Sequence, residues 1–131
     1  MHIPQPKAGA VIYAKTLASV SKVYGEVIGL DETHVERDHA VLESATFQLV
    51  ILSIPNGIAA SINIATPPAR RTEAPIKLVF FVPNLAASRE TAAKFGGELN
   101  PPGREWKFQQ FIVCDGHDPE GNVFQLRANA G

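Results

Sequence analysis

The stretch that decides the fold is 11-VIYAKTLASVSKVYGEVIGL-30. It begins with apolar residues typical of a strand and continues, after a polar turn, into a predicted helix. The apolar side chains of Leu17, Val20 and Tyr24 follow helical spacing, so one face of this helix is predicted to pack on a core. Gly29 ends the helix, as a glycine just beyond a last helical turn commonly does.

A second stretch, 77-KLVFFVPNLAASRETAAKFGGEL-99, has the same plan. Pro83 and the residue after it end the strand, and two glycines end the helix that follows. Leu17 and Gly29 are twelve positions apart in the first stretch, and Leu85 and Gly97 are twelve positions apart in the second. The chain therefore contains an internal repeat of about half its length, which has to be weighed before other signals.

Short strand candidates follow each predicted helix and predict three strands per half. In the first half they are residues 32–37, 40–45 and 47–54, and in the second they are Glu98–Leu99, 108-FQQFIVC-114 and 122-NVFQLRA-128. The intervening segment of about 55–75 contains several prolines, which favours a linker. We therefore expect a single domain over residues 1–131, with module one at about 8–54 and module two at about 76–128.

Composition limits the classes of function. The chain has 131 residues, 45% hydrophobic and 19% charged, as in ordinary soluble globular domains. Its net charge of -1 gives no electrostatic case for nucleic acid. A single cysteine excludes internal disulfides and cysteine-rich zinc sites. No apolar run approaches the ~20 residues that cross a bilayer, and no signal segment is recognisable, so no membrane partner and a cytoplasmic location are expected.

The repeat resembles the vicinal oxygen chelate superfamily, which includes glyoxalase I, bleomycin-resistance proteins and extradiol dioxygenases. Three stretches carry the resemblance: TLASVSKVYGEVIGL, VPNLAASRETAAKFGG and DPEGNVFQL. The resemblance implies an α+β fold of two strand–helix–three-strand (βαβββ) modules, which form a curled mixed sheet with an open cleft and helices on the outer face. It also implies a homodimer. Because this fold hosts enzymes and binding proteins alike, it does not define the function.

Metal-dependent relatives carry three or four His, Glu or Gln ligands on the first and last strand of each half. The resemblance places the matching positions at Gly9, near Ile51, at Lys77 and at Gln125. Glycine and isoleucine side chains have no donor atom, and lysine binds a metal only when it is deprotonated. A lone neutral amide does not hold a divalent ion, so we expect no family metal site and no cofactor.

Two other groups of residues suggest chemistry. His34, Glu36 and His39 lie close enough in sequence to bind zinc, but a solvated polar hairpin is the favoured interpretation. Cys114 with His117 as its base could form a nucleophile, although a free cysteine in an apolar strand is more often inert and buried.

The motif 118-DPEG-121 has the residue types of a type I turn, with Asp118 accepting a backbone hydrogen bond at the first position. The turn is predicted to join two strands as a hairpin. Asp115, His117 and Asp118 are expected to border the turn and to face solvent or backbone, rather than to form a metal site.

Alternation along the matched strands predicts the side chains of the concave face. Trp106 lies in the predicted loop 101-PPGREWKF-108, where it could stack on a flat ligand or instead close the sheet or a dimer interface. For Lys77 the alternative is an ion pair at the cleft rim. The concave set is Gly9, Val11, Tyr13, Leu49, Ile51, Ser53, Lys77, Val79, Phe81, Val123, Gln125 and Arg127, and the ligand-binding candidates are Tyr13, Ile51, Lys77, Phe81, Arg104, Trp106, Gln125 and Arg127.

An apolar, partly aromatic wall with a few polar groups is the usual make-up of a small-molecule pocket. The leading hypothesis is therefore a metal-free, dimeric binding protein that captures a small aromatic or amphiphilic compound, with catalysis disfavoured but left open. The alternative is a lyase, isomerase or dioxygenase of the same superfamily with displaced metal ligands. A third possibility is a structural dimer with a filled cleft and an exposed apolar surface around Ile58, Ile62 and Ile64.

Overall fold

The computed structural model describes residues 7–130 and consists of two similar modules. The first comprises β1 (Ala8–Ala14), α1 (Leu17–Glu26), β2 (Asp31–Val35), β3 (His39–Glu43) and β4 (Phe47–Ser53). A one-turn helix, α2 (Asn56–Ala59), follows. The second comprises β5 (Leu78–Phe81), α3 (Leu85–Lys94), β6 (Glu98–Leu99), β7 (Trp106–Phe108), β8 (Phe111–His117) and β9 (Val123–Asn129), with a short 3₁₀ turn at Pro102–Arg104.

The two sheets have the same strand arrangement. The first has the order β1-β4-β3-β2, and the second has β5-β9-β8-β6 with β7 paired to β8. In each, the first strand lies parallel to the last, while the other neighbours are antiparallel. The internal repeat inferred from sequence is therefore present as two βαβββ modules, the second of which has the additional short strand β7, and the α+β fold class is confirmed.

Glycines end both long helices, as the sequence predicts. Gly29 follows α1 with φ of 86° and Gly96 follows α3 with φ of 87°, a left-handed conformation that glycine adopts without steric cost. At the other end of α3, the side chain of Asn84 accepts a hydrogen bond of 2.9 Å from the amide of Ala87. This cap satisfies one of the helix's otherwise unpaired amides and fixes where α3 begins.

The segment from Phe108 to Cys114 is not one strand, contrary to the sequence prediction. The chain turns at Gln109, which has φ of 54°, and β7 returns along β8 as a short hairpin. A turn with no glycine at its left-handed position gave no sequence signal. As a consequence, Trp106 lies in strand β7 and not in a loop.

One hydrophobic core joins the two modules. The ring of Tyr24 on α1 packs edge-on against Phe80 of β5 and Phe124 of β9, with ring centroids 6.1 and 5.9 Å apart. Phe47 of β4 also meets Phe80, at 5.4 Å. Helix α1 therefore buries its apolar face between its own sheet and the core face of the other one. Edge-to-face contacts of this kind stabilise the aromatic core beyond their area alone.

The face assigned to β4 from sequence was wrong. Ile51 pairs with Ile12 of β1 and is fully buried in the core, as is Leu49. The opposite face of β4 carries Gln48, Val50 and Leu52. Because 47-FQLVILSI-54 is apolar at almost every position, alternation could not distinguish its two faces. Ile51 therefore packs in the core and does not line a cleft.

The segment between the modules is ordered around the turn that joins β8 and β9. The amide of Arg71 donates to the carbonyl of Gly121 at 2.9 Å. A Cβ atom on Gly121 would lie 2.0 Å from the carbonyl oxygen of Ala69, so only glycine permits this close approach. We call residues 69–76 the strap. Among the described residues, no helix is long and apolar enough to span a membrane.

Candidate ligand-binding face

The face of the second sheet that points away from the core carries a continuous row of polar side chains. The Nζ atom of Lys77 donates to Oδ2 of Asp115 at 2.8 Å. Gln125 donates from Nε2 to Oδ1 of the same carboxylate at 3.3 Å, and Nε of Arg127 donates to Oε1 of Gln125 at 2.9 Å. We call this face, formed by β5, β9, β8 and β7, the open face of the second module. Lys77 therefore forms an ion pair, which the sequence had suggested as the alternative to a ligand contact.

Aromatic side chains surround the Arg127 end of this row. The guanidinium carbon of Arg127 lies 4.8 Å from the ring centre of Phe108 and 5.9 Å from that of Phe81. Phe81 also meets Phe111 edge-on at 5.0 Å. Phe81, Phe108 and Trp106 remain 58%, 44% and 41% exposed. A stacked guanidinium between exposed rings is suited to a flat aromatic ligand.

Trp106 lies on the same open face. It is directly opposite Val113 in the β7–β8 hairpin, and Val113 is opposite Arg127 in the β8–β9 pair. Directly opposed residues in antiparallel strands share a face. Five of the predicted ligand-binding residues therefore come together on one surface. These are Lys77, Phe81, Trp106, Gln125 and Arg127.

The three remaining candidates lie elsewhere. Arg104 ends the 3₁₀ turn and lines a cavity with the strap. Tyr13, 64% exposed, lies on the outward face of the first sheet beside Val11, which is 55% exposed. Ile51 is buried beneath α1. A cavity of about 500 Å³ lies between β1 and the start of β5, and Tyr13 does not line it.

The register of the sheets tests the four positions that the sequence resemblance matches to metal ligands. In the second module Gln125 is opposite Val79, two residues beyond Lys77. The same register in the first module pairs Val11, two residues beyond Gly9, with Val50. The fourth position is therefore Val50, one residue from the sequence estimate, and it also lacks a donor atom. This donor set does not fit a divalent ion.

No other group in residues 7–130 brings together three or more His, Cys, Asp or Glu side chains in a geometry that could hold a metal. His34 lies 3.1 Å from Glu36, and its ring centre is 5.4 Å from that of His39. His39 in turn contacts Asp38 at 2.8 Å. These side chains form pairs on the β2–β3 hairpin, whose strand β2 is exposed throughout.

The 118-DPEG-121 motif forms the expected turn, since the amide of Gly121 donates to the carbonyl of Asp118 at 3.0 Å. The side chain of Asp118 is fully buried, however, and does not face solvent. It accepts hydrogen bonds from the hydroxyl of Tyr24 and the amide of Glu120, at 3.0 and 2.8 Å, and two more from Asn122. Burial raises the pKa of Asp118, and these hydrogen bonds oppose the rise.

His117 and Glu120 are also buried and serve the fold. Glu120 accepts the backbone amides of Lys15 and Thr16, at 2.8 and 2.7 Å, at the start of α1. The Nδ1 atom of His117 contacts the carbonyl of Asp118 at 2.9 Å. These residues suggested a metal site or a nucleophile in the sequence. In the structure they instead join the β8–β9 hairpin of the second module to helix α1 of the first. Their partners lie about a hundred residues away, so no local pattern revealed them.

Cys114 is fully buried, and its Sγ atom contacts the carbonyl of Asn100 at 3.4 Å and a guanidinium nitrogen of Arg89 at 3.6 Å. Burial raises the pKa of the Cys114 thiol, and Arg89 opposes this rise. His117 makes its hydrogen bond elsewhere. Because a buried, protonated thiol is a poor nucleophile, Cys114 acts as a core residue.

Paired βαβββ modules with parallel first and last strands define the structural class. Comparison with solved structures gives the same class. A glyoxalase/bleomycin resistance protein from Albidiferax ferrireducens T118 is 18% identical with a TM-score of 0.64, over 93% of this chain and 97% of that one. A glyoxalase-related enzyme from Fulvimarina pelagi is 16% identical with a TM-score of 0.66, over 95% and 88% of the two chains.

The fosfomycin resistance protein FosX from Mesorhizobium loti is 12% identical with a TM-score of 0.63, over 98% of this chain and 94% of that one. The fold is that of the vicinal oxygen chelate superfamily. No protein-family model matches the sequence, and comparison with curated proteins gives no significant match. At these identities the likeness establishes the fold alone, and the function has to be argued from the site.

Proposed function

We propose that the protein binds a small aromatic or amphiphilic molecule on the open face of the second module, without a metal. The observation that carries this proposal is the polar row from Lys77 to Arg127 ending among exposed rings. Phe81, Phe108 and Trp106 supply apolar surface, and the guanidinium of Arg127 is already stacked between two of them. Binding is stoichiometric capture, in which the rings supply affinity and the polar row orients the ligand.

Metal independence is supported by the chemistry of the positions that hold ligands in metal-dependent relatives. In the second module those positions, Lys77 and Gln125, both bond to the carboxylate of Asp115. A lysine ammonium is a cation without a lone pair, so it repels a divalent ion where relatives attract one. Gly9 and Val50 contribute no donor in the first module.

A homodimer is part of the proposal. The outward face of the first sheet leaves Val11 and Tyr13 exposed, and that of the second leaves Val79, Phe81 and Phe108 exposed. Apolar side chains that cluster on an outward sheet face indicate an interaction surface, whereas scattered ones do not. Covering them with a second copy would also enclose the ligand face.

The direct test uses the single tryptophan, Trp106, as a reporter on the proposed face. A panel of aromatic compounds is titrated into the protein, and saturable quenching with about one site per chain supports binding. A flat response to the whole panel, with a structure in which side chains fill the face, would contradict it. In the alternative, a metal-dependent lyase, isomerase or dioxygenase, purified protein would contain stoichiometric metal.

A further inference from the structure

A cavity of about 280 Å³ lies between the strap and the open face of the second module, at the Lys77 end of the polar row. Its wall is unusually cationic for a chain whose net charge is -1. The polar side chains lining it include Arg70, Arg71, Lys77, Asn100, Arg104 and Asp115.

Most of this positive charge is not neutralised locally. Asp115 is the one carboxylate among the lining residues, and it is paired with Lys77. Within residues 7–130, no carboxylate lies within ion-pair distance of Arg70, Arg71 or Arg104. Three guanidinium groups therefore surround one concave site with their charge available to a ligand.

Neutral acceptors already hold two of the guanidinium groups in place. Arg70 donates to Oδ1 of Asn100 at 2.5 Å and to the carbonyl of Glu98 at 3.4 Å. Arg71 donates from Nε to the carbonyl of Glu120 at 3.1 Å, which leaves its terminal nitrogens available. The close contact between Ala69 and Gly121 fixes the backbone that carries both arginines. A guanidinium held in advance loses less freedom when it binds an anion, which increases affinity.

We propose that this cavity binds an oxyanion, a carboxylate, sulfonate, phosphonate or phosphate group, carried by the aromatic ligand. The inference rests on the proposed function and adds the charge and polarity of the ligand. Arg71 and Arg104 contact the oxyanion through charge-assisted hydrogen bonds, and Arg70 contributes mainly its charge. The ring of the same molecule lies against Phe81 and Phe108.

The distance between the cationic cavity and the aromatic rings is compatible with one small molecule that contacts both. Lys77 immediately precedes β5 and Phe81 ends it, so the two are four residues apart, which corresponds to about 13 Å in extended backbone. An oxyanion beside Lys77 and a ring beside Phe81 therefore require a ligand of roughly two fused or linked rings with one anionic end. The intervening Asp115–Gln125 contact offers polar groups to the middle of such a ligand.

The test compares two probes with the same rings, 8-anilino-1-naphthalenesulfonate and its neutral parent, N-phenyl-1-naphthylamine. We expect the sulfonate to bind at least about tenfold more tightly, as one charge-assisted interaction provides. Inorganic phosphate is expected to displace the sulfonate and to leave the neutral probe bound. Equal affinity of the two probes would overturn this inference and leave the proposed function intact, whereas failure of both to bind would overturn both.

Single substitutions test which guanidinium groups contact the oxyanion. Arg104→Gln and Arg71→Gln are each expected to weaken the sulfonate about fivefold to tenfold and to leave the neutral probe within twofold. Arg37→Gln removes an exposed guanidinium on the other sheet's hairpin and is the matched control, with no effect expected. Equal loss in Arg37→Gln and Arg104→Gln would show only general charge attraction and would overturn the proposed site. The side chain of Arg104 donates no hydrogen bond to another described residue, and its backbone bond to the carbonyl of Pro101 does not depend on the side chain, so its substitution does not threaten folding.

Discussion

The Nζ atom of Lys77 lies 2.8 Å from Oδ2 of Asp115, at a position that the sequence resemblance matches to a metal ligand of metal-dependent proteins. The other oxygen of the carboxylate accepts a hydrogen bond from Gln125, which corresponds to a second ligand position. One internal carboxylate therefore joins both positions of the second module. The same pair stands between the cationic cavity and the aromatic rings, so its charge balance affects any ligand that spans them.

Replacing Asp115 by asparagine removes one negative charge from the proposed site with little change in shape. The Lys77–Asp115 pair is partly exposed, and pairs of this kind contribute about 0–1 kcal/mol, so the melting temperature is expected to change by a few degrees at most. Affinity for 8-anilino-1-naphthalenesulfonate is expected to rise roughly threefold, because an unpaired lysine then faces the anion. Asp31→Asn, on the exposed strand β2, is the control. A fall in affinity in Asp115→Asn alone would contradict the proposed orientation.

The buried contact between Tyr24 and Asp118 predicts a dependence of stability on alkaline pH. Burial and the charge of Asp118 raise the pKa of Tyr24 well above its usual 10.0. Because the folded pKa exceeds the unfolded one, the stability linked to this proton is present below pH 10 and is lost as the pH rises towards the folded pKa. Tyr24→Phe is expected to lower the free energy of unfolding by about 1–2 kcal/mol at neutral pH. The same variant is expected to lose less stability than the parent protein at alkaline pH.

Urea unfolding at pH 7 and at about pH 10.5 measures both effects. Tyr13→Phe is the matched control, because Tyr13 is the other tyrosine and is exposed. It should change neither the free energy of unfolding nor its pH dependence. If the two variants lose stability alike, the hydrogen bond across the modules is not the cause.

The strap depends on Gly121. A Cβ atom there would meet the carbonyl oxygen of Ala69 at 2.0 Å, and φ of 84° is unfavourable for alanine. Gly121→Ala is expected to destabilise the fold by about 2 kcal/mol or to displace the strap, with loss of sulfonate binding in either case. Gly57→Ala is the control, since its Cβ would meet no atom within 4 Å. Hydrogen exchange of the Arg71 amide reports the strap directly, and unchanged protection in Gly121→Ala would contradict this account.

The proposed dimer is tested on the outward face of the first sheet. Tyr13→Glu places a charge among exposed apolar side chains and is expected to shift sedimentation from dimer to monomer, with at least tenfold weaker association. Ile58→Glu is the control, because Ile58 is similarly exposed, at 59%, but lies on α2 outside that face. A monomeric parent protein, or dissociation by Ile58→Glu alone, would contradict the assigned interface.

The repeat made the fold predictable from sequence. Leu17 to Gly29 and Leu85 to Gly97 each encode a helix whose start and stop depend on local residues, and Gly29 and Gly96 follow the two helices in a left-handed conformation. The face of β4 was not predictable, because an almost continuous apolar run has no visible period. The turn at Gln109 was missed since no glycine or proline marks it.

The candidate site was partly predictable for similar reasons. Alternation along β5 and β9 correctly placed Lys77, Phe81, Gln125 and Arg127 on one face. The partner of Lys77 could not be inferred, because Asp115 lies 38 residues away and pairs through the sheet. Arg70 and Arg71 read as linker residues, since only the three-dimensional contact between Ala69 and Gly121 brings them to the site.

The most direct test of the central claim is a Trp106 fluorescence titration with N-phenyl-1-naphthylamine on protein treated with a chelator. Metal-independent binding predicts saturable quenching at about one site per chain, unchanged by the chelator. Phe81→Ala, which removes an exposed ring from the proposed face, should weaken binding about tenfold, as loss of one stacked ring does. No quenching after chelation, restored by adding a stoichiometric divalent metal, would contradict the account.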